Sequence, residues 1–401
     1  MFTPQAPIRR RALTSLVLAL AMIAGQSAQA AAPFTPNEQP RGWVTRPTFS
    51  NYNISGGNSI QYRTAFYPST WKGDVIALDI NSAAVVQASS PWGSNSFAHE
   101  VDLVSYDTGR RIVTLKEDGT AIPFRWDNLS ATQQTSIGDA TAGPAILNFV
   151  RGDRSNEAPS GLGLRARASV VGDIIQSTLI HWRYSADTRL FVGANDGMVH
   201  IINAADGTED FAYIPSMLIP NLKYLASNPY NHYYYVNGGL TAGSIILGGS
   251  IKTLLVGGLG AGGKGLFCLD VTSVSPADET AAAAKIKWEV TSSTTGFANL
   301  GYTYGSPRLA TINDGTRVVI VGNGYMNSGN GEASLFIIDA DDGNLIAEVG
   351  TGAGSLASPN GLSTPTLVDT NGDGRVDYAY AGDLDGTMWK FNLTGTGTGA
   401  Y

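Results

Sequence analysis

The fold class is decided by the stretch Leu190-Phe-Val-Gly-Ala-Asn-Asp-Gly-Met-Val-His-Ile-Ile-Asn-Ala-Ala-Asp-Gly207. It holds two short runs of apolar and β-branched residues, and each run is followed by an Asp-Gly pair. Asn or Asp followed by Gly is typical of a tight turn between antiparallel strands. The stretch therefore predicts a strand, a turn and a second strand.

The same plan recurs along the chain, at Leu254–Asp270, Val318–Gly343 and Tyr380–Asn392, with a partial copy at Lys72–Asp79. The residues that close the second strand of each copy are 67, 69 and 53 positions apart. Multi-strand repeats of about this size are typical of propeller blades, although the usual period is about 40 to 50 residues. We therefore predict an all-β fold, a modified β-propeller with quinoprotein-like blades and insertions, over residues 71–401.

Finer expectations accompany this repeat. Between Asp79 and Asn203 there is room for two units, and Arg111–Trp126 is interpreted as a degenerate one. About five units fit before the end of the chain, so we expect a propeller that is incomplete at its C-terminus. Helices should be almost absent, with at most two turns at Ala281–Lys287. The predicted strands are Asp74–Ile80, Leu190–Val192, Met198–Asn203, Thr253–Val256, Leu266–Val271, Arg317–Val321, Leu335–Asp339, Tyr378–Ala381 and Thr387–Leu393.

The first 30 residues have the layout of a secretory signal peptide. Three arginines at 9–11 precede an apolar run over 12–25, and Ala28-Gln29-Ala30 is a small-residue cleavage signal. The run is shorter than the roughly 20 residues of a membrane-spanning helix, which disfavours an uncleaved anchor. We expect export to the periplasm, outer membrane or cell surface. Residues 31–70 are then a lead-in to the propeller region.

Charge and cysteine content exclude several classes of function. The chain has 33 acidic and 26 basic residues, so binding of nucleic acid or anionic lipid is disfavoured and binding of cations is favoured. No other apolar run is long enough to span a membrane after signal cleavage. The single cysteine, Cys268, lies in an apolar run and is predicted to be a small buried residue.

The motif with the clearest chemistry runs from Asp369 to Asp377. Oxygen side chains stand at loop positions 1, 3, 5 and 9, and glycine stands at position 6. This spacing matches the first nine positions of an EF-hand calcium loop, in which position 7 contributes a backbone carbonyl. Position 12 is Tyr380 instead of a bidentate glutamate, so modest affinity is expected. The predicted Ca²⁺ ligands are Asp369, Asn371, Asp373, the Arg375 carbonyl and Asp377; the alternative is a plain turn-rich hairpin.

Other motifs carry weaker signals. Six further Asp-Gly pairs, at 118–119, 196–197, 206–207, 314–315, 342–343 and 385–386, lack the spaced oxygens and are predicted to be hairpin turns. Arg151-Gly152-Asp153 is an integrin-type tripeptide, with a solvated loop as the alternative interpretation. The four histidines are not at zinc spacing, and neither a nucleophile elbow nor a catalytic constellation is recognisable.

The chain resembles the PilC/PilY-type type IV pilus tip-associated proteins. The resemblance rests on Phe149–Glu157, Arg165–Ser177, Val192–His200, Phe211–Ser216, Val256–Phe267, and the calcium loop followed by Tyr380–Phe391. It implies a modified β-propeller whose calcium loop regulates pilus extension against retraction, in surface adhesion and twitching motility. It also implies a non-enzymatic role with the pilus tip or minor pilins as partners, and a host-cell or abiotic surface as a further one. We expect the chain to lack the long N-terminal region typical of the family.

Two other classes of function remain open. Strand–Asp-Gly–strand repeats also occur in quinoprotein dehydrogenase propellers, although a lone cysteine cannot form their vicinal disulfide. A generic surface scaffold is the third interpretation.

Overall fold

The computed structural model describes residues 46–50, 59–184 and 187–395. These residues contain five β-sheets. The signal segment expected at 1–30 lies outside these residues. The first sheet contains β1 (Thr48–Phe49), β2 (Ser59–Tyr67) and β3 (Lys72–Ile80). The second contains β4 (Ile112–Leu115), β5 (Ala121–Pro123), β6 (Ile180–Arg183), β7 (Thr188–Gly193), β8 (Val199–Asn203) and β9 (Glu209–Tyr213), in the order β5-β4-β9-β8-β7-β6.

The other three sheets are antiparallel meanders in chain order. The third contains β10 (Leu240–Leu247), β11 (Ser250–Gly258), β12 (Gly265–Asp270) and β13 (Ile286–Thr291). The fourth contains β14 (Arg308–Thr311), β15 (Arg317–Gly322), β16 (Glu332–Asp339) and β17 (Leu345–Gly354). The fifth contains β18 (Thr366–Val368), β19 (Tyr378–Gly382) and β20 (Met388–Asn392). Each predicted strand is confirmed to within a few residues.

Two predicted boundaries were wrong. The expected degenerate unit at Arg111–Trp126 is not a separate sheet, because β4 pairs in parallel with β9 and so extends the second sheet. The expected boundary between residues 70 and 71 falls inside a hairpin, because β2 pairs with β3 along its whole length, from Ser59 opposite Ile80 to Tyr67 opposite Lys72.

Helices are more frequent than expected between residues 97 and 151. They are α1 (Phe97–Asp102), α2 (Ala131–Ile137) and α3 (Gly143–Arg151), followed later by α4 (Glu279–Ala283). Helices of the 3-10 type occur at Trp126–Asn128, Ser216–Ala226 and Gly260–Gly262. The capping box formed by Ser130 and Gln133 starts α2. No helix in the described ranges is long and apolar enough to cross a membrane.

Alternate residues of each central strand pack against two different neighbouring sheets. In β15, Val319 and Val321 share a core cluster with Val256 and Cys268 of the third sheet. The other face of the same strand belongs to a cluster that contains Phe391 of the fifth sheet. Burial on both faces explains why these strands are continuously apolar instead of alternating with polar residues. It also confirms that Cys268 is buried and unpaired, with its pKa raised by that burial.

Two of the three Ala-x-Asp-Gly sequences, at 204–207 and 340–343, are docking sites for a tryptophan from a neighbouring segment. The Trp288 indole N–H donates to the Ala340 carbonyl at 3.1 Å, and the Trp92 indole N–H donates to the Ala204 carbonyl at 2.9 Å. At the glycine of each motif, Gly343 and Gly207, φ is close to +80°. A Cβ there would lie 2.7 Å from the tryptophan ring. Glycine is therefore required both by the turn and by the ring above it.

Candidate metal loop and family relationship

The predicted calcium loop connects β18 to β19 at one end of the fifth sheet. The last residue pair of the two strands is Val368 opposite Tyr378, and the loop begins and ends directly after it. Gly372 and Gly374 have φ values of +76° and +82°, and no atom lies within 4 Å of the position of an added Cβ. These glycines are needed for the turn itself and not for close packing. The loop therefore lies at a rim of the fifth sheet.

The loop's oxygen side chains accept hydrogen bonds from its own backbone amides. The two carboxylate oxygens of Asp369 accept from the N–H groups of Gly372 at 2.7 Å and Gly374 at 2.8 Å. Asn371 Oδ1 accepts from the N–H of Asp373, and Asp373 Oδ1 accepts from the N–H of Arg375, each at 2.9 Å. Each such contact fixes a side chain to the turn. A carboxylate or amide oxygen bonded in this way still has a second lone pair.

Asp377 differs from the other predicted ligands because it is buried, with 5% of its surface exposed, at the base of the loop. Its Oδ2 accepts from the Thr370 N–H at 2.8 Å and from the Thr370 hydroxyl. The Thr370 hydroxyl contact, followed by the backbone N–H, lowers the pKa of Asp377. The Thr370 side chain therefore faces Asp377, although it stands at an even position of the motif. A β-branched hydroxyl at loop position 2 closes the loop onto position 9.

A neighbouring hairpin anchors the loop. Asn313, in the β14–β15 turn, donates from Nδ2 to the carbonyls of Val376 at 3.2 Å and Leu393 at 3.0 Å. The Arg375 guanidinium donates to the Asn313 carbonyl, so its charge is directed away from the loop oxygens. Sequence reasoning could not identify Asn313, because it is more than 60 positions from its partners in the loop.

The donor chemistry of the loop fits a hard cation, although the side chains do not converge on one point. Asp369, Asn371 and Asp373 are exposed on the loop, and Asn371 Nδ2 lies 3.3 Å from Asp373 Oδ2. In the described part of the chain, no group of three His, Cys, Asp or Glu side chains is arranged to hold a metal. Three carboxylates, one amide and one carbonyl are nonetheless ligands that Ca²⁺ prefers. Because three of the side chains are exposed, they can reorient without disturbing the core.

The Arg151-Gly152-Asp153 tripeptide is not a solvated loop. Arg151 ends α3 and is 1% exposed. Its guanidinium lies 3.0 Å from the Glu279 carboxylate and donates to the Phe124 carbonyl at 2.9 Å. An arginine bound in this way is inaccessible to a receptor, so the tripeptide has a structural role.

The histidines occupy four different environments. His200 is fully buried between Asp196 and Glu209, at 3.1 and 2.8 Å. Burial alone would lower the pKa of His200, but these two carboxylates raise it to about 9. His232 lies 2.9 Å from Asp173, and His99 is exposed on α1. His181 has a buried Nε2 with no partner among the described residues, and burial lowers its pKa to about 4.

All six of the other Asp-Gly pairs are turns between consecutive strands, as predicted. Their glycines have φ between +79° and +96°. The aspartate typically accepts a hydrogen bond from an amide two residues ahead; Asp118, Asp206 and Asp314 each do so at 2.8 to 3.0 Å.

Comparison with known proteins assigns the family. A family model described as the PilY1 beta-propeller domain matches residues 166–399. Type IV pilus biogenesis factor PilY1 of Pseudomonas aeruginosa strain PAK is 35% identical over 373 residues, which covers 83% of this chain and 30% of that protein. The chain belongs to the PilY1 β-propeller family. The propeller fold predicted from the repeats is thereby confirmed.

Further PilY1 relatives match as well. A PilY1 homologue of Xylella fastidiosa is 42% identical over 299 residues, which covers 65% of this chain and 20% of the relative. The crystal structure of the P. aeruginosa PilY1 C-terminal domain is 39% identical, covers 52% of this chain and 39% of that one, and has a TM-score of 0.43. The chain thus spans about a third or less of the length of these curated PilY1 proteins.

Proposed function

We propose that this chain acts in type IV pilus biogenesis as a non-enzymatic, calcium-regulated propeller that balances pilus extension against retraction. The observation that carries the proposal is the 35% identity to the PilY1 biogenesis factor over 83% of the chain. The predicted partners are the pilus tip or minor pilins, and the predicted site of action is the periplasm, outer membrane or cell surface. Adhesion to a host cell or abiotic surface and twitching motility are the expected outputs.

In this proposal, the β18–β19 loop is where calcium acts. Asp369, Asn371, Asp373, the Arg375 carbonyl and Asp377 would hold the ion, which would supply a positive charge that joins exposed side chains to the buried base of the loop. Thr370 would keep Asp377 oriented, and Asn313 would transmit the state of the loop to the fourth sheet. These two contacts support a role in which binding changes a rim of the propeller while its core is retained.

Genetic complementation in a bacterium with type IV pili tests the proposal. Deletion of the gene should reduce surface pili and twitching, and blocking retraction should restore part of the piliation. A gene that encodes Asp369→Ala should fail to restore the normal balance. Asp118→Ala, which alters an exposed Asp-Gly turn between β4 and β5 in the second sheet, is the matched control and should complement. Unchanged piliation and motility after deletion would contradict the pilus role.

A further inference from the structure

A cleft of about 480 Å³ lies near the turn between β2 and β3. It is lined by Thr70, Trp71, Arg165, Asn228 and Tyr230, together with Ser69 and three alanines. Its lining contains a guanidinium and no carboxylate, in a chain whose net charge is −7. A smaller pocket of about 20 Å³, which can hold about one water molecule, shares Trp71, Arg165 and Tyr230 with it. The volume of the cleft is in the range of small-molecule sites.

Arg165 is held in a fixed position, and the Asp173 carboxylate acts on it only from beyond ion-pair distance. Its guanidinium carbon lies 3.4 Å from the centroid of the Tyr230 ring, and Nη2 donates to the Thr70 carbonyl at 3.0 Å. Among the described residues, no carboxylate lies within ion-pair distance of Arg165. Nearby Arg167, in contrast, is paired with Glu157 at 2.8 Å. Desolvation by burial lowers the pKa of Arg165, so a bound anion would relieve an existing electrostatic cost.

Trp71 is placed by a strained backbone and supported from behind. Its φ is +55°, a region that favours glycine and disfavours bulky side chains. Its indole stacks on His232 with 3.9 Å between ring centroids. His232 is in turn bound by both oxygens of Asp173, at 2.9 and 3.0 Å, and Asp173 is 1% exposed. Backbone strain of this kind is retained where a side chain has a function that the surrounding structure supports.

The structure thus assigns a binding site to this cleft, and we propose that it takes a carboxylated sugar. The carboxylate would pair with Arg165, and the apolar face of the sugar ring would stack on the aromatic surface of Trp71. Thr70 lines the cleft, and its hydroxyl oxygen is buried and has no partner among the described residues. A site that fixes an aromatic ring and a guanidinium side by side selects a ligand that is both anionic and cyclic. The proposal does not depend on calcium or on a pilus.

Calorimetric titration of the purified chain with D-glucuronate, D-glucose and acetate tests this inference. A chelator is included so that the calcium loop cannot contribute a bridging ion. Glucuronate should bind at least about tenfold more tightly than glucose or acetate, since a charged hydrogen bond and ring stacking each contribute about a factor of ten. Acetate binding as tight as glucuronate would overturn the assignment to a sugar, and equal binding of glucose would overturn the role of Arg165.

Three variants separate binding from folding. Arg165→Gln should weaken glucuronate binding by about tenfold or more, whereas Arg183→Gln, which removes the same charge from an exposed position on β6, should not. Trp71→Gly should abolish binding while its melting temperature stays at or above that of Trp71→Ala, because glycine tolerates the positive φ. Wild-type affinity in either Arg165→Gln or folded Trp71→Gly would overturn the proposal.

Discussion

At the scale of single residues, Thr370 shows how one hydroxyl closes a loop. Its side chain and its N–H both donate to Asp377, which is the buried member of the predicted ligand group. A spacing argument assigns side chains at odd positions to the metal and ignores the even ones. In the structure Asp369, Asn371 and Asp373 are exposed on the loop, whereas the even position 370 holds the side chain that connects its two ends.

Replacing Thr370 tests this contact. Thr370→Val keeps the shape of the side chain and removes the donor, so the free energy of unfolding should fall by about 1 kcal/mol. Thr370→Ser keeps the donor and should have a smaller effect. Urea unfolding of the two variants and the wild type measures the difference. Equal stability of the Val and Ser variants would show that the hydroxyl contact contributes nothing.

His181 makes the stability of the second sheet sensitive to acid. Its ring stacks on Tyr62 with 5.5 Å between centroids, and burial and nearby Arg183 lower its pKa to about 4, from an ordinary value of 6.5. Because the unfolded chain binds this proton more readily, the stabilisation is present above pH 6.5 and is lost as the pH falls toward 4. His181→Phe retains the stacked ring and cannot bind the proton. The urea midpoint should therefore fall less from pH 7.5 to pH 4.5 in the variant than in the wild type. An equal fall in both proteins would contradict the assignment.

At the scale of the elements, the strands were predictable and the helices were not. The β7–β8 and β15–β16 runs are apolar on both faces and are bounded by Asp-Gly turns, a signal that needs no tertiary information. The second sheet also contains β4, because β4 pairs in parallel with β9 about 100 residues later in the chain. A local sequence pattern cannot predict a pairing over that distance. Helix α2 is the exception, because the capping box of Ser130 and Gln133 is a local signal for its start.

The tryptophan docking motif gives a prediction at this scale. Gly343→Ala adds a Cβ 2.7 Å from Trp288 at a φ of +79°, whereas Gly315→Ala adds one at a similar φ of +93° with no atom within 4 Å. In both variants the free energy of unfolding should fall by about 1 kcal/mol, because alanine disfavours a positive φ. In Gly343→Ala it should fall by roughly a further 1 to 3 kcal/mol, because the added Cβ overpacks against the tryptophan. Thermal or urea unfolding compares them, and equal losses would show that the tryptophan contact does not constrain this turn.

At the scale of the whole molecule, the two candidate sites differ in what sequence alone could show. The calcium loop is contiguous, so its oxygens and glycines are visible as a spacing from Asp369 to Asp377. The proposed sugar cleft joins Trp71, Arg165 and Tyr230, which are far apart in sequence and come together only through the packing of separate segments. Distance in sequence, and not weaker chemistry, explains why the cleft was missed.

Calcium binding by the β18–β19 loop is the central claim, and titration calorimetry of the full chain with Ca²⁺ tests it most directly. The wild type should bind calcium, and Asp369→Ala should not, because the variant removes a charged ligand from a loop without a bidentate glutamate at position 12. Asp118→Ala, at an Asp-Gly turn of the second sheet, should bind as the wild type does. Calcium should also raise the melting temperature of the wild type and of Asp118→Ala, but not of Asp369→Ala. Equal calcium binding by the wild type and Asp369→Ala would contradict the account and leave the loop as a turn.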